Sequence, residues 1–462
     1  MSGGPLEFSD TIAAVATPPG RGALAVVRLS GRDAHAIARA ALDRWPATPR
    51  SAVVTYARSM EGELVDQAVV IRYDAPASFT GEDSVELITH GGLVVPTTVL
   101  AALLARGARL ATPGEFTRRA VLNGKLDVLQ AEATGDLVDA DSRAAQTIAL
   151  HQLDGGLSRR ILWLREQLIG LEALIAYDID FPEEDEGPIP PSRIAAAADG
   201  IIGALERLLE TASTGELVRE GALVVLAGAP NVGKSSLFNA LLGQSRAIVT
   251  DIPGTTRDAI EAVIDTPRLP LRLVDTAGIR ESTDAVERIG VEVSASYVAR
   301  AAVVLACGDT PRAMSEIGTA LHGRTTAPII AVRTKADLDR PSAQALIEAR
   351  ASTGARAAIA VSAETGEGLR ELLEAITRAI ASGDVGMAVD APILTHERHR
   401  WAVARALDEA RLFREDWSTG RVPVTIAAVH LREAVMTLEE LVGAVDVEDV
   451  LDELFRRFCV GK

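Results

Sequence analysis

The chain has 462 residues, enough for about three domains of ordinary size. Its 64 acidic side chains outnumber 47 basic ones, for a net charge of −17, which opposes non-specific binding to RNA or DNA and leaves any nucleic-acid contact to a local basic patch or a basic partner. Hydrophobic residues make up 48% and aromatics only 3%, so the cores must be built from Ala, Leu and Val. No run of eighteen apolar residues is present, no basic-then-apolar signal opens the chain, and the two cysteines, Cys307 and Cys459, make no disulfide framework. The expectation is a soluble cytoplasmic protein with no membrane contact.

In chain order, residues 1–123 read as a small α+β domain. Strands are predicted over Thr11–Ala16 and Ala23–Leu29, around the turn Thr17–Gly22, then over Ala52–Tyr56, Leu64–Ile71 and Ser84–Ile88, with helices over Asp33–Leu42 and Val94–Ala105. Thr112-Pro113-Gly114-Glu115 reads as a capping box, with Thr112 as the cap and Pro113 in the first helical position. Residues 124–220 have helical spacing, including one long helix over Ile148–Ala176 and another over Arg193–Leu209, interrupted by the acidic, Pro-rich Phe181–Ser192. Residues 221–381 read as an α/β domain. After a linker at 382–392 the spacing is helical again from 394 to 460, with Leu431, Val435, Leu438, Leu441 and Val445 three or four apart. Neither flanking helical stretch can close a core alone. The economical reading of 124–220 and 382–462 is one all-α domain into which a Ras-like phosphate-loop domain has been inserted.

That insertion opens with Gly228-Ala229-Pro230-Asn231-Val232-Gly233-Lys234-Ser235, a G-x-x-x-x-G-K-[ST] phosphate loop between an apolar run, Ala222–Ala227, and a helical Ser236–Leu242. Backbone N–H groups at such a helix start face a phosphate. Lys234 then reaches the β- and γ-phosphates, and the Ser235 hydroxyl holds Mg²⁺. Downstream, Leu271–Val274 runs into Asp275-Thr276-Ala277-Gly278, and Thr255-Thr256 lie where a switch loop lends Mg²⁺ a hydroxyl. Thr334-Lys335-Ala336-Asp337 and Ser362-Ala363 complete the set. Asp337 can accept from the N1–H and 2-amino group of guanine, a donor pair adenine lacks. The guanine motif usually begins with Asn; Thr334 stands there in this chain, so weaker or differently braced base binding is expected.

Ile279 follows the DxxG stretch where Ras-type enzymes carry a water-orienting Gln. An apolar side chain cannot position water, so either hydrolysis waits for a partner or another residue acts. Glu287 is the candidate; the plainer reading is a solvated helix charge. The Asn231 side chain can offer its oxygen to a monovalent cation, with Thr250, Ile252 and Thr255 completing the shell; K⁺ there would neutralise transition-state charge. Lysine usage adds a pointer. Only Lys125, Lys234, Lys335 and Lys462 are lysines, against 43 arginines. Two of the four sit in nucleotide motifs, which marks Lys125 and Lys462 as site candidates unless they fell there by chance.

The chain resembles the MnmE/TrmE family, GTPases of tRNA uridine 5-carboxymethylaminomethyl modification, from end to end. The resemblance rests on Thr17–Gly22, Phe79–Asp83 (FTGED), Pro113–Phe116, Lys125–Asp127, Gln130–Ala133, Asp180–Pro182, Asn231–Ser235, Thr250–Asp258 (TDIPGTTRD), Asp275–Arg280, Val286–Gly290 and Phe458–Lys462. It implies that Asn231–Ser236, Thr250, Asp251, Ile252, Pro253, Gly254, Thr255, Thr256, Asp275–Gly278, Thr334–Asp337, Ser362 and Ala363 contact GTP. It implies that Ser235 and Thr256 hold Mg²⁺, and that residues 1–123 form a folate-binding and dimerisation domain. Arg28, Glu86, Lys125 and Lys462 would bind 5,10-methylene-tetrahydrofolate, with 5-formyl-tetrahydrofolate as an analogue, and the chain's end would fold back onto an N-terminal domain, its own or a partner's. Cys459 would be a catalytic thiol; the alternative is a small apolar helix residue. The family also implies a homodimer, a heterotetramer with an FAD-containing partner, and an aminomethyl or carboxymethylaminomethyl group built at C5 of wobble uridine. Two other readings remain: an Era-like regulatory or ribosome-assembly GTPase, and a folate-dependent transferase with a regulatory G domain.

Overall fold

Alternate residues of the first strands are apolar on one side only, and that pattern decides how the N-terminal segment folds. The computed structural model describes residues 10–180, 189–244, 260–266, 269–275, 296–380, 392–420, 423–443 and 461. Strands β1 (Ile12–Val15), β2 (Leu24–Ser30), β3 (Ala52–Arg58), β4 (Leu64–Tyr73), β5 (Ser84–His90) and β6 (Arg109–Leu110) form one sheet in the order β3-β4-β5-β2-β1-β6. All neighbours are antiparallel except β1 and β6. Val27, Leu29, Val70, Val85 and Leu87 point to a core shared with Ile37 of α1 (Ala34–Ala40) and with Val99 and Leu103 of α2 (Val94–Leu104). The intervening residues Arg28 and Glu86, opposite each other in the β2–β5 register, sit on the other face and are only half-buried.

The expected capping box is corrected in part. Helix α3 spans Glu115–Leu122, and Gly114, with a φ of 69°, occupies the cap position. The left-handed glycine delays the helix beyond Thr112 and Pro113. Glu115 still makes the reach-back bond, accepting from the Thr112 amide at 2.8 Å.

Helices α4 (Val128–Asp139), α5 (Arg143–Leu153), α6 (Gly156–Asp180), α7 (Pro191–Glu210) and α8 (Ala212–Glu220) follow. The single helix expected over Ile148–Ala176 is two. Gly155 takes a φ of 82° between α5 and α6, and the Gln130 amide nitrogen caps the Leu153 carbonyl at 2.9 Å. The helical stretch after residue 394 also divides, into α13 (Glu397–Thr419) and α14 (Val424–Val442), with Gly420 at a φ of 58° closing the first.

Between them lies the second sheet. It comprises β7 (Ala222–Ala227), β8 (Ile260–Ile264), β9 (Leu271–Asp275), β10 (Val303–Gly308), β11 (Ile329–Arg333) and β12 (Ala357–Ala360), in the order β12-β11-β10-β7-β9-β8. Only the β8–β9 pair is antiparallel. Every residue of β7 and β10 is buried, as continuous apolar runs in a sheet covered on both faces require. Helices α9 (Lys234–Gln244), α10 (Pro311–Leu321), α11 (Ala343–Thr353) and α12 (Leu369–Ile380) belong to this sheet.

Two compact units emerge, and each draws on helices from both sides of the α/β segment. The first comprises residues 1–135, 152–198 and 409–462. In it Leu157, Ile161, Leu164, Leu168, Leu171 and Ile175 form the buried stripe of α6, and Leu431, Ala434, Leu438 and Leu441 that of α14. Ion pairs Arg165–Glu439 and Arg432–Glu172 join the two helices. The second unit comprises residues 136–151 and 199–408. There α8, which leads into β7, packs on the segment that leaves the α/β sheet: the Leu394 amide donates to Thr211 Oγ1 at 3.1 Å, and a Cβ on Gly215 would overlap the Leu394 carbonyl oxygen. Among the described residues no helix is long and apolar enough to cross a membrane.

Gly215→Ala must push α8 off the Leu394 backbone and should cost about 1–3 kcal/mol. Gly200→Ala, where nothing lies within 4 Å of a new Cβ, is the control and should be neutral or stabilising. Denaturant midpoints of the full chain check the difference.

Candidate functional site

At the C-terminal end of β7 the chain turns through residues 228–233 into α9, and several strand ends converge on that loop. Gly228 lies so close beneath the Cys307 carbonyl that a Cβ would collide with it. Asn231 and Gly233 have φ values of 62° and 96°, the left-handed conformations that aim successive amides into one concavity. Lys234, buried at the start of α9, folds over the loop and donates to the Gly228 and Ala229 carbonyls, each at 2.9 Å. Ser235 Oγ donates to Asp275 Oδ2 at 2.6 Å, which brings the phosphate loop and the first residue of DxxG together. A hydroxyl and a carboxylate in contact at a helix N-terminus are the oxygen donors a Mg²⁺ ion takes.

The base side is equally defined. A cavity of about 290 Å³ is lined by Gly233, Ser236, Thr334, Lys335, Asp337 and Ala363. The Ala336 amide donates to the Val361 carbonyl at 3.0 Å, tying the loop after β11 to the end of β12. Ser362 is fully buried, and its Oγ accepts from the Thr365 amide at 3.1 Å. Lys335 Nζ donates to the Asn231 carbonyl and to Asp309 Oδ2, both at 2.8 Å. That ion pair holds the Asp309 carboxyl below its usual range. Cys307 is wholly buried, and burial pushes its thiol up to about 12, so it is a core residue and no nucleophile.

A second cluster occupies the half-buried face of the N-terminal sheet. Arg28 Nη2 pairs with Glu86 Oε1 at 2.8 Å, and the Tyr73 hydroxyl donates to Glu86 Oε2 at 3.2 Å. The Arg28 guanidinium lies 5.5 Å from the Phe79 ring centre and 5.6 Å from that of Phe116. Lys125 Nζ donates to the Pro76 carbonyl at 3.1 Å, and its stem packs on Gly81 of the same loop. Gly461, with a φ of 101°, is buried so closely against Val15 and Ala16 that a Cβ would lie 2.7 Å from each. Val15 and Ala14 pair with Val27 and Arg28, so residue 461 reaches the neighbourhood of Arg28 within its own chain.

Comparison with known proteins decides the family. A model described as the MnmE helical domain matches residues 128–459, and one described as the GTP-binding protein TrmE N-terminus matches residues 11–125. Proteins named tRNA modification GTPase MnmE are similar along their whole length. That of Neisseria meningitidis serogroup C (strain 053442) is 42% identical over 98% of this chain and 99% of its own. That of Heliobacterium modesticaldum is 42% identical with the same coverage. The chain belongs to the MnmE (TrmE) family. A solved G domain, that of the T. maritima FeoB iron transporter, is 27% identical over 34% of this chain with a TM-score of 0.27.

For an MnmE chain the departure at Thr334 now has a physical account. The Thr334 hydroxyl donates to the Val232 carbonyl in the phosphate loop, so the shorter side chain still braces the loop. The residues Thr250–Thr256, Thr276–Gly278, Ile279, Glu287, Cys459 and Lys462 lie outside the described residues. Arg119 and Asp309 went unnoticed in the sequence. Nothing distinguishes Arg119 among 43 arginines, yet its side chain is 1% exposed and pairs with Asp10, Glu82 and Glu115. Glu82 also accepts from Ser30 Oγ at 2.7 Å. This hub pins the loop that carries Phe79 and Gly81 toward Arg28 and Lys125.

Arg119→Ala should destabilise the N-terminal fold by about 3–5 kcal/mol, because the nearly buried Glu82 loses its guanidinium partner while Asp10 and Glu115 keep Arg109. The acid side follows by linkage. Burial raises the Glu115 and Asp10 carboxyls, but hydrogen bonds from Arg109 and Arg119 bring both below their ordinary values. Depressed carboxyls contribute stability that is complete above pH ~4 and is lost as pH falls through their folded values. Acid titration of unfolding should therefore be flatter in Arg119→Ala than in the wild type.

Proposed function

We propose that this chain is a GTP hydrolase of tRNA modification whose catalytic cycle depends on K⁺. With an FAD-containing partner protein it builds the 5-aminomethyl or 5-carboxymethylaminomethyl group on wobble uridine, using a one-carbon unit from 5,10-methylene-tetrahydrofolate. The observation that carries the nucleotide half is the cavity shared by Gly233 and Ser236 of the phosphate-binding segment with Lys335 and Asp337 of the base motif. One side of it suits a phosphate, the other a guanine edge. The match to tRNA modification GTPases over 98% of the chain supports the rest.

Each residue has a definite task in this reading. The amides of 231–235 bind the phosphates at the N-terminus of α9. Lys234 exchanges its two carbonyl partners for phosphate oxygens, and Asp337 accepts from the guanine N1–H and 2-amino group. Ser235 and Thr256 would hold Mg²⁺, which would supply charge compensation to the phosphates. Asn231, Thr250, Ile252 and Thr255 would hold K⁺. Glu287 orients the attacking water. Cys459 supplies a thiol for the modification chemistry.

In the N-terminal segment Glu86 accepts the N3–H and 2-amino pair of a pterin, the same donor pattern that Asp337 accepts from guanine. Arg28, Lys125 and Lys462 suit the carboxylates of the glutamate tail. The buried position of Gly461 against β1 supports assigning Lys462 to this group. Residues 1–123 serve as the folate and dimerisation domain, 124–220 with 382–462 as the helical domain, and 221–381 as the inserted G domain.

Mass spectrometry of tRNA from cells lacking this protein tests the function: the wobble-uridine modification should disappear and return with the wild-type gene. Its retention favours an Era-like switch without modification chemistry. Steady-state GTP hydrolysis should be much faster in K⁺ than in Na⁺ at equal ionic strength; equal rates remove the cation assignment.

A further inference from the structure

The Lys335 ammonium has two partners, and one of them lies outside every nucleotide motif. Strand β10 ends at Gly308, and Asp309 follows before Thr310 caps α10 through the Ala313 amide at 3.2 Å. Asp309 Oδ2 and the Asn231 carbonyl share Lys335 Nζ at 2.8 Å each. Next to Asp309, the Gly308 carbonyl accepts from the Thr334 amide at 3.1 Å. Lys335 itself takes a φ of 58°, and Asn231 one of 62°. Two side-chain-bearing residues thus hold left-handed backbone, which the surrounding structure must support, above all at Lys335, whose long side chain gives it no local relief. The Asp309–Lys335–Asn231 chain is the contact that joins them.

We propose that Asp309 is a positioning residue for guanine-nucleotide binding. It acts through Lys335, holding the ammonium on the Asn231 carbonyl so that the base segment and the phosphate loop are already joined when the nucleotide arrives. The proposal rests on the GTP reading above. Without the carboxylate, a four-carbon stem regains rotamer freedom, and binding must remove it again. Asn at 309 keeps an acceptor oxygen in the same place; Ala keeps none.

The test uses the full-length chain and a fluorescent GDP analogue. Asp309→Ala should weaken binding about tenfold, and Asp309→Asn should recover a large part of that loss. KM for GTP should rise in Asp309→Ala while kcat at saturation stays within about twofold, as expected for loss of binding shared by ground and transition states. In a double-mutant cycle, Asp309→Ala placed on Lys335→Met should add almost nothing. Unchanged affinity in Asp309→Ala overturns the proposal. So do losses that add in the double variant, or an Asn variant no better than Ala, since either outcome means that Asp309 does not work through the ammonium. A wild-type chain that binds no guanine nucleotide overturns the GTP reading itself, a failure visible before any variant is made.

Discussion

The α/β segment depends on how many separate strand ends hold one short loop. Residues 228–235 are fixed by Cys307 at the end of β10, by Asp275 at the end of β9, and by Thr334 and Lys335 just after β11. All are carboxyl ends of parallel strands, where an open α/β sheet leaves its crevice. Asn231 and Lys335 both hold left-handed backbone there without being glycine. The sheet's buried core makes this possible, because β7 and β10 cannot shift without breaking continuous apolar packing. A loop held before its ligand arrives loses less freedom on binding, and that favours affinity.

The same rigidity gives the loop a mechanical connection to the helices. Strand β7 begins two residues after α8 ends at Glu220, and the intervening Gly221 has a φ of 75°. Helix α8 in turn lies against Leu394, on the segment that leaves the α/β sheet. A second tie runs from Asp265, just after β8, whose carboxylate accepts from the Arg143 amide near 3.4 Å at the start of α5. Entry, exit and an outer turn of the sheet are therefore each bound to helical elements of the same compact unit. A change at the nucleotide has short covalent and packed routes into those helices.

Local order was legible in the sequence, and long-range bracing was not. The phosphate loop and the Lys335–Asp337 motif rest on short spacings, and the sheet brings both, with Asp275, to the carboxyl ends of its strands. The buried stripe of α14 and the alternation of β2 and β5 rest on short spacings too, because burial follows period. The break between α5 and α6 was missed although Asp154-Gly155-Gly156 is a turn signal; helical spacing on both sides masked it. The start of α3 was misread because a left-handed Gly114 displaces the cap. The Thr334 hydroxyl could not be credited with bracing the loop, since its acceptor is a main-chain carbonyl 102 residues away. Arg119 was invisible for the same reason: its partners Asp10 and Glu82 are distant in sequence, and arginine is common here.

Nucleotide selectivity is the central claim, and calorimetric titration of the full chain with GDP, ADP and XDP tests it most directly. The wild type should bind GDP and not ADP, because only guanine presents the donor pair that Asp337 accepts. Asp337→Asn should lose GDP and gain XDP, since an amide can donate to the 2-oxo group that xanthine carries in place of the amine. Equal affinity of the wild type for GDP and ADP, or an Asp337→Asn variant that still prefers GDP, would contradict the account.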